Sequence, residues 1–322
     1  MNNLFTGSIV RHLKHVLTGL GLATVFLSPC AQATSYTYTT LNVPGASGTS
    51  AFGINNNGAI VGTYQNSLGQ QLGFLDNGGT YTTLSVLGAS ATGATGINNN
   101  GVIVGDYVSS SGNSSGFLDN AGTYTTLNVP GASNVIPGGI NNNGAIVGYD
   151  WNSGGSYQGF LDNAGSYTTL NVPFSGASGT SAFGINNNGA IVGVYRNASG
   201  SLSGFLDNAG SYTTLSVPGA TNTLAYGIND YGEIVGTYQD LSGSFQGFLE
   251  SGGSYTTLAV PFSGAGVTYA AGINNNGDIV GTYQNSAGGY SSFLATPVPE
   301  ARTWIMMLAG IGLIGLRRRR YG

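Results

Sequence analysis

The sequence predicts an all-β protein, a six-bladed β-propeller built from four-stranded antiparallel meanders. Three observations lead to this fold class. A unit of 43 residues, twice stretched to 45, recurs along the chain, and its opening Gly-Ile-Asn stands at Gly53, Gly96 and Gly139, for example. Each unit holds four short apolar runs separated by turn residues, which is the spacing of a propeller blade. Incomplete units at the two ends of the repeat region add up to the sixth blade.

The turns of the first unit, residues 51–86, share one chemistry. Residues 55–58, 66–69 and 76–79 each have the form Asn/Asp-x-x-Gly. Asn or Asp at the first position accepts a backbone hydrogen bond, and Gly at the fourth adopts a positive φ without a Cβ clash. We therefore expect hairpins with a type I turn and a Gly bulge. Three such turns join four strands into one meander.

The same landmarks mark every unit. The Gly of Gly-Ile-Asn in strand 1 recurs at Gly53, Gly96, Gly139, Gly184, Gly227 and Gly272, the Phe of strand 3 at Phe74, Phe117, Phe160, Phe205, Phe248 and Phe293, and the Tyr-Thr-Thr-Leu of strand 4 at Tyr38, Tyr81, Tyr124, Tyr167, Tyr212 and Tyr255. The two longer units contain the insertions Phe174-Ser175 and Phe262-Ser263.

The ends of the repeat region predict how the ring closes. Residues 34–43 are a copy of strand 4 with no strands 1 to 3 before it, and residues 271–295 supply strands 1 to 3 without a strand 4. We expect the N-terminal strand to complete the last blade, because closure removes an open sheet edge. Strand 1 is then innermost in each blade, and the Asn-rich 1–2 turns share one face of the disc with the Asp-rich 3–4 turns.

Residues 1–33 have the features of a secretory signal peptide. Arg11 and Lys14 precede an apolar run over residues 16–27, and Ala31 and Ala33 form a small-x-small cleavage site. The mature chain would start at Thr34. The alternatives are a retained membrane anchor and a lipoprotein modified at Cys30.

The C-terminal residues 297–322 differ in composition from the repeats. The propeller is therefore expected to span residues 34–296. An apolar segment, about residues 301–316, is followed by the basic residues Arg317, Arg318, Arg319 and Arg320. Apolar residues ended by arginines predict a single membrane helix with a cytoplasmic end.

Composition excludes several functions. Residues 34–296 contain one cation, Arg196, and eleven of the twelve carboxylates, which gives a net charge of −10. Nucleic acid is therefore excluded as a partner, because phosphate binding needs clustered Lys and Arg. The only cysteine is Cys30, and the only histidines are His12 and His15. A mature chain without His or Cys lacks the usual general bases and thiol nucleophiles, so we expect no catalytic residues and no enzyme.

One set of carboxylates repeats at the 3–4 turn: Asp76, Asp119, Asp162, Asp207 and Glu250. Repetition at a turn position favours a structural role over a catalytic pair for glycoside hydrolysis. Calcium binding at these turns is an alternative, but we expect no metal or other cofactor to be required. The threonines of strand 4 raise an ice-binding alternative, although a twisted blade is not a flat binding surface.

The third repeat departs from the pattern. Other repeats have Gly-x-Tyr after strand 2, whereas this repeat has Gly148 followed by Tyr149, Asp150 and Trp151. Trp151 is the only tryptophan of residues 34–296. A tryptophan with a nearby carboxylate can stack on a sugar ring, so these three residues are the candidate ligand site, with packing as the alternative role.

Two stretches resemble known families. The tail, with Val298, Pro299, Glu300 and Trp304 before the arginine cluster, resembles the PEP-CTERM sorting signal, with Ala301 in place of the second proline. Residues 53–62 and 272–281 resemble the HAF family of probable extracellular repeats. The first resemblance implies export across the inner membrane of a Gram-negative bacterium that makes exopolysaccharide, with processing of the tail by an exosortase.

Together these observations predict an exported protein of the cell surface, outer membrane or exopolysaccharide matrix. Its propeller would be a structural or binding module, and its partners would be the secretion machinery, an exosortase and possible matrix polysaccharide. A carbohydrate-binding lectin is the alternative. An ice-binding protein and a glycoside-acting enzyme are the remaining ones.

Overall fold

The computed structural model describes residues 35–151 and 157–298. The strands of these residues form six four-stranded antiparallel sheets. Strand β1 is Tyr36–Leu41. Blade 1 holds β2 (Gly48–Ile54), β3 (Ile60–Gln65), β4 (Gln71–Asn77) and β5 (Thr80–Leu84), and blade 2 holds β6 (Ala91–Ile97), β7 (Ile103–Val108), β8 (Ser114–Asn120) and β9 (Thr123–Leu127). Blade 3 holds β10 (Asn134–Ile140), β11 (Ile146–Trp151), β12 (Tyr157–Asn163) and β13 (Ser166–Leu170), and blade 4 holds β14 (Ser178–Ile185), β15 (Ile191–Arg196), β16 (Leu202–Asn208) and β17 (Ser211–Leu215). Blade 5 holds β18 (Asn222–Ile228), β19 (Ile234–Gln239), β20 (Phe245–Ser251) and β21 (Ser254–Leu258), and blade 6 holds β22 (Thr268–Ile273), β23 (Ile279–Gln284) and β24 (Tyr290–Pro297).

Blade 6 takes its fourth strand from the N-terminus. Strand β1 pairs antiparallel with β24, with Tyr38 opposite Ala295 and Thr40 opposite Phe293. The Tyr38 ring lies 5.8 Å from the Phe293 ring, between centroids. The predicted six-bladed propeller, closed by its N-terminal strand, is confirmed.

The 1–2 and 2–3 turns of blade 1 have the predicted geometry. Gly58 N donates to Asn55 O at 3.1 Å, and Gly69 N donates to Asn66 O at 2.9 Å. Both glycines have a positive φ, 80° and 79°. These are type I turns with a Gly bulge, which the Asn-x-x-Gly spacing dictates.

The 3–4 turns are tighter than the sequence suggests. Asn77 pairs with Thr80, so only Gly78 and Gly79 lie in the loop, with φ of 61° and 89°. Two positive φ values in a two-residue loop indicate a type I′ turn, so the prediction of a type I turn with a bulge is wrong here. Asp76 belongs to β4, and its Oδ1 accepts a hydrogen bond of 2.7 Å from Gly79 N.

The core lies between neighbouring blades. Val61 of blade 1 belongs to one buried cluster with Ala94, Ile97 and Phe117 of blade 2. The Phe of strand 3 recurs at the same position in every blade, and its ring leaves room only for a glycine at the facing position of strand 2. A Cβ on Gly62 would collide with the Ser50 carbonyl and lie 2.8 Å from the Phe74 ring.

The meander order gives the disc two distinct faces. We call the face with the 1–2 and 3–4 turns the Asn face, and the face with the 2–3 turns and the inter-blade linkers the linker face. Strand β24 runs toward the Asn face, where Val298 N donates to Ser35 O at 3.0 Å. Both ends of the closed ring therefore lie on the Asn face. No helix within the described residues is long and apolar enough to cross a membrane.

Candidate ligand-binding site

The six repeats differ from one another in two places, the 2–3 turns with their flanking residues and the part of each inner strand that lies beside the propeller axis. In every inner strand the register shifts around one residue, as between Ala51 and Gly53 of β2. This bulged residue has no partner in the strand ladder, and its identity changes from blade to blade: Phe52, Thr95, Gly138, Phe183, Tyr226 and Ala271. By contrast, the core phenylalanine of strand 3 is the same in all six blades. A β-bulge changes the direction in which a residue points, and here the bulged residues of all six blades face the same space.

All six bulged residues line a single cavity of about 490 Å³ on the axis. Cross-strand pairs also line it, among them Ile136 with Tyr149 and Tyr269 with Thr282. Tyr290, which follows a 2–3 turn, is part of the lining and places the cavity toward the linker face. Residues that vary between repeats thus line one partly open space of the size that binds small ligands.

Aromatic rings form a continuous wall on the side of blades 3 to 5. The Phe183 ring lies 5.8 Å from Tyr149 and 5.2 Å from Tyr226, between centroids. Behind Tyr149, the Trp151 ring lies 5.5 Å away and packs 4.8 Å from Tyr157. Tyr149 and Trp151, both proposed from the sequence, therefore belong to one cluster, of which Tyr149 faces the cavity.

The tyrosines of the cavity differ from those of the blades in hydrogen bonding. The blade tyrosines bond within their own sheet, as Tyr64 Oη does with Thr83 Oγ1 at 2.9 Å. In the described part of the chain, the hydroxyls of four cavity tyrosines make no hydrogen bond: Tyr149, Tyr226, Tyr269 and Tyr290. Burial raises the pKa of Tyr149, Tyr226 and Tyr269, so these hydroxyls stay protonated near neutral pH. They are free to donate to a ligand.

Thr282 adds a further unsatisfied group to the cavity lining. Its Oγ1 is buried without a hydrogen-bond partner among the described residues, and its side chain is 7% exposed. A buried hydroxyl without a partner costs free energy. Because the oxygen has almost no accessible surface, it is not a contact for a ligand in the cavity.

Asp106 is the carboxylate nearest to the aromatic wall. It pairs with Gly93 across β6 and β7, at the register position that Tyr149 and Thr282 hold in their blades. A Cβ on Gly93 would lie 3.5 Å from Asp106 Oδ1, so the carboxylate occupies space left by the missing side chain. Burial raises the pKa of Asp106 to about 6, although a hydrogen bond from its own backbone N–H acts to lower the pKa. Its charge in turn contributes to the raised pKa of Tyr149.

Asp150 lies apart from the aromatic cluster. Successive side chains of a strand point to opposite faces, so Asp150 points away from Tyr149 and Trp151. It is 0% exposed, its Oδ1 accepts from Gln158 Nε2 at 3.1 Å, and its Oδ2 has no partner in the described residues. Burial raises its pKa, opposed by the Gln158 hydrogen bond. It stands where the other blades have a tyrosine and cannot touch a ligand in the cavity.

The repeated carboxylates of the 3–4 turns have a structural role. Each accepts a hydrogen bond of 2.6–2.7 Å from the glycine N–H three residues later. Within residues 35–151 and 157–298, no group of three His, Cys, Asp or Glu side chains could hold a metal ion. Independence of calcium stays a prediction.

The 1–2 turns form a second feature of the axis, two closed rings of hydrogen bonds. In the first ring, each buried Asn Nδ2 donates to the carbonyl of its counterpart in the next blade at 3.0–3.2 Å: Asn55, Asn98, Asn141, Asn186, Asn229 and Asn274, which returns to Asn55. In the second ring, the residue after each of these asparagines donates its backbone N–H to the side chain of its counterpart in the next blade, as Asn56 N does to Asn99 Oδ1 at 2.9 Å. We call these two rings the Asn clasp.

One member of the clasp is charged. Asp230 stands where the other blades have Asn, and its Oδ2 accepts from Asn187 Nδ2 at 2.8 Å and from Asn275 Nδ2 at 2.7 Å. Burial would raise its pKa, but these hydrogen bonds outweigh burial and lower it. The clasp ties blade to blade around the axis.

The predicted sorting residues fall mostly outside the described residues. Val298 is the last described residue and is 38% exposed. The others lie beyond the described ranges: Ala31, Ala33, Pro299, Glu300, Trp304, Arg317, Arg318, Arg319 and Arg320. The same holds for the predicted signal peptide and membrane helix.

Comparison with known proteins supports the fold. No protein-family model matches the chain, and no curated protein matches its sequence. Among solved structures, a triple mutant of AofleA from Arthrobotrys oligospora is similar with a TM-score of 0.52 and 12% identity, over 83% of this chain and 92% of that one. TolB from Acinetobacter baumannii has a TM-score of 0.51 and 15% identity, over 80% of this chain and 65% of that one. A lectin from Aleuria aurantia has a TM-score of 0.48 and 16% identity, over 78% and 97%. At these identities the similarity concerns the fold alone.

Proposed function

We propose that this chain is an exported, non-catalytic propeller that binds a saccharide in its axial cavity. The observation that carries the proposal is the contrast between scaffold and cavity. The six blades keep the same core and the same pattern in their 1–2 and 3–4 turns, whereas most of the bulged residues and their neighbours differ and converge on one space of about 490 Å³. Variation among residues that line one shared cavity is what a binding site built on a repeated scaffold requires.

The chemistry of the wall favours a sugar ring. The rings of Tyr149, Phe183 and Tyr226 offer broad apolar faces, and a sugar ring has an apolar face of its own. The four tyrosine hydroxyls are free to pair with sugar hydroxyls. Apolar walls with a few polar groups that fix orientation are the usual composition of small-molecule sites.

The same lining offers no catalytic pair. Glycoside hydrolysis usually needs two carboxyl groups roughly 5–10 Å apart across the scissile bond. No Asp or Glu is among the described residues that line the cavity. Asp106 lies beside the cavity, Asp150 points away from it, and the repeated carboxylates of the 3–4 turns lie on the Asn face. The function we propose is therefore binding without turnover.

The location follows from the sorting features of the sequence. We propose export through the signal peptide and sorting of residues 297–322 by an exosortase, which would leave the protein at the cell surface, at the outer membrane or in the exopolysaccharide matrix. The described chain ends on the Asn face, opposite the linker face toward which the cavity lies. A tail held in a membrane would leave the cavity facing outward, where matrix polysaccharide is available.

A glycan array probed with the full-length chain tests the proposal. We expect discrete hits, confirmed by calorimetry, and loss of binding by at least about tenfold in Tyr149→Ala, because it removes one ring of the wall. Tyr231→Ala is the matched control, since Tyr231 is 72% exposed in a turn on the Asn face. The proposal fails if no glycan binds, or if both variants lose binding equally.

A further inference from the structure

We propose that the cavity selects neutral saccharides and that Asp106 is the residue that excludes acidic ones. This inference rests on the proposed function and names the class of ligand for the same site.

The first step concerns positive charge. A carboxylate buried in an apolar cavity needs a cationic partner. Arg196 is the only cation of residues 34–296, and its Nη1 donates to the Gly200 carbonyl in an exposed 2–3 turn. The cavity lining has aromatic, aliphatic and hydroxyl side chains but no Lys, Arg or His. An acidic sugar would therefore leave its charge uncompensated.

The second step concerns negative charge. Asp106 is not one of the residues that line the cavity, but it holds in blade 2 the register position that the lining residues Tyr149 and Thr282 hold in their blades. The pKa of Tyr149 is raised by burial and, in addition, by the charge of Asp106. An anionic ligand at Tyr149 would meet an unscreened like charge.

The third step concerns the ligand that fits. Tyrosine hydroxyls both donate and accept hydrogen bonds, as sugar hydroxyls do. Neutral sugars thus satisfy the four free tyrosine hydroxyls without burying a charge.

The test uses ligands that differ only at carbon 6. Glucosides, galactosides and mannosides are each prepared with an alcohol, a carboxylate and an amine at this carbon, and are titrated into the full-length chain at pH 7.5. We expect at least one alcohol to bind, with its carboxylate form weaker by at least about tenfold, because the charge has no partner. The amine form is expected within about tenfold of the alcohol, since attraction by the Asp106 carboxylate is offset by the cost of burying the ammonium group.

Asp106→Asn provides the specific readout. It keeps the shape of the side chain, so binding of the alcohol should change by less than about threefold, while the carboxylate form should gain at least about fivefold because the like charge is gone. Lowering the pH to 5 should reduce the discrimination in the parent protein and leave it unchanged in the variant. Thermal melts of both proteins check that each is folded.

The outcomes separate the two proposals. If no member of the three sets binds, the proposed function fails and this inference fails with it. If a carboxylate form binds as well as its alcohol, or the amine binds more than about tenfold better, only the neutral class is overturned. If the alcohol is preferred but Asp106→Asn leaves the carboxylate affinity unchanged, Asp106 is not the excluding residue.

Discussion

Replacing one buried asparagine of the Asn clasp should destabilise the propeller far more than replacing the exposed asparagine two residues later. Asn98 is 4% exposed. Its Nδ2 donates to Asn141 O of the next blade at 3.1 Å, and its Oδ1 accepts from Asn100 N and Val102 N, both at 3.0 Å. Asn98→Ala removes all three hydrogen bonds and leaves their partners unsatisfied.

The magnitude follows from those three bonds. Each is worth about 0.5–1.5 kcal/mol net, so the free energy of unfolding should fall by about 2–4 kcal/mol. A loss of 1 kcal/mol lowers Tm by about 2–4 °C in a domain of this size, which predicts a decrease of roughly 4–16 °C. The side chain of Asn100 makes one hydrogen bond, in which its exposed Nδ2 donates to Asn142 O at 3.3 Å. Asn100→Ala should therefore cost less than about 0.5 kcal/mol.

Urea unfolding followed by circular dichroism measures both variants against the parent protein at pH 7. An unchanged m-value would show that the variants differ in stability and not in the extent of unfolding. Equal losses in the two variants, or a loss below about 0.5 kcal/mol in Asn98→Ala, would refute the clasp as a source of stability.

Three further outcomes follow from individual groups. Gly62→Ala should destabilise the fold by at least about 3 kcal/mol because its Cβ collides with the Ser50 carbonyl. Gly58→Ala, at a φ of 80° in open space, should cost only about 1–2 kcal/mol. Urea unfolding compares the two variants, and a larger loss for Gly58→Ala would contradict the packing. Asp106 has a folded pKa of about 6 against a usual 3.8, so its carboxylate costs stability above that pH and the cost disappears as the pH falls toward 3.8. Asp106→Asn should thus stabilise by about 1–3 kcal/mol at pH 8 and change little near pH 4, and a stabilisation independent of pH would contradict the burial argument. A chelator should leave Tm within about 2 °C, since a metal bound to the folded state would raise it, and a drop of 10 °C or more would favour calcium at the turns.

The fold could be predicted because its determinants are local and repeated. Asn55 and Gly58 specify a turn by themselves, and repetition at a fixed period specifies a ring of blades. The 3–4 turn was mispredicted because Asp-x-x-Gly is compatible with two loop lengths. The structure selects the shorter one even where Ala121 must adopt a φ of 50°.

The site could be predicted only in part. The departure from the repeat at Tyr149 and Trp151 identified two members of the aromatic cluster, but strand alternation separates Asp150 from them. Phe183 and Tyr226 were missed because a bulge one residue before Gly-Ile-Asn decides where they point. Comparing the repeats position by position would have found them, because they occupy one of the two most variable positions of strand 1.

The Asn clasp could not be foreseen from one repeat. In the sequence, Asn56 is a central turn residue that many polar residues could replace. In the ring, its Oδ1 accepts from Asn275 N of the last blade at 2.8 Å. Such a contact depends on closure of the whole propeller, which no local pattern encodes.

Fluorescence of Trp151 tests most directly whether ligand enters the axial cavity. Trp151 is the only tryptophan of residues 34–296, and Trp304→Phe in the tail makes it the only one in the full-length chain. Its ring packs 5.5 Å from Tyr149, which lines the cavity. We expect a neutral glycan from the array to change the emission of Trp151 with the same Kd that calorimetry gives, and the change to be lost in Phe183→Ala. Calorimetric binding that leaves the emission unchanged and is untouched by Phe183→Ala would contradict the axial site.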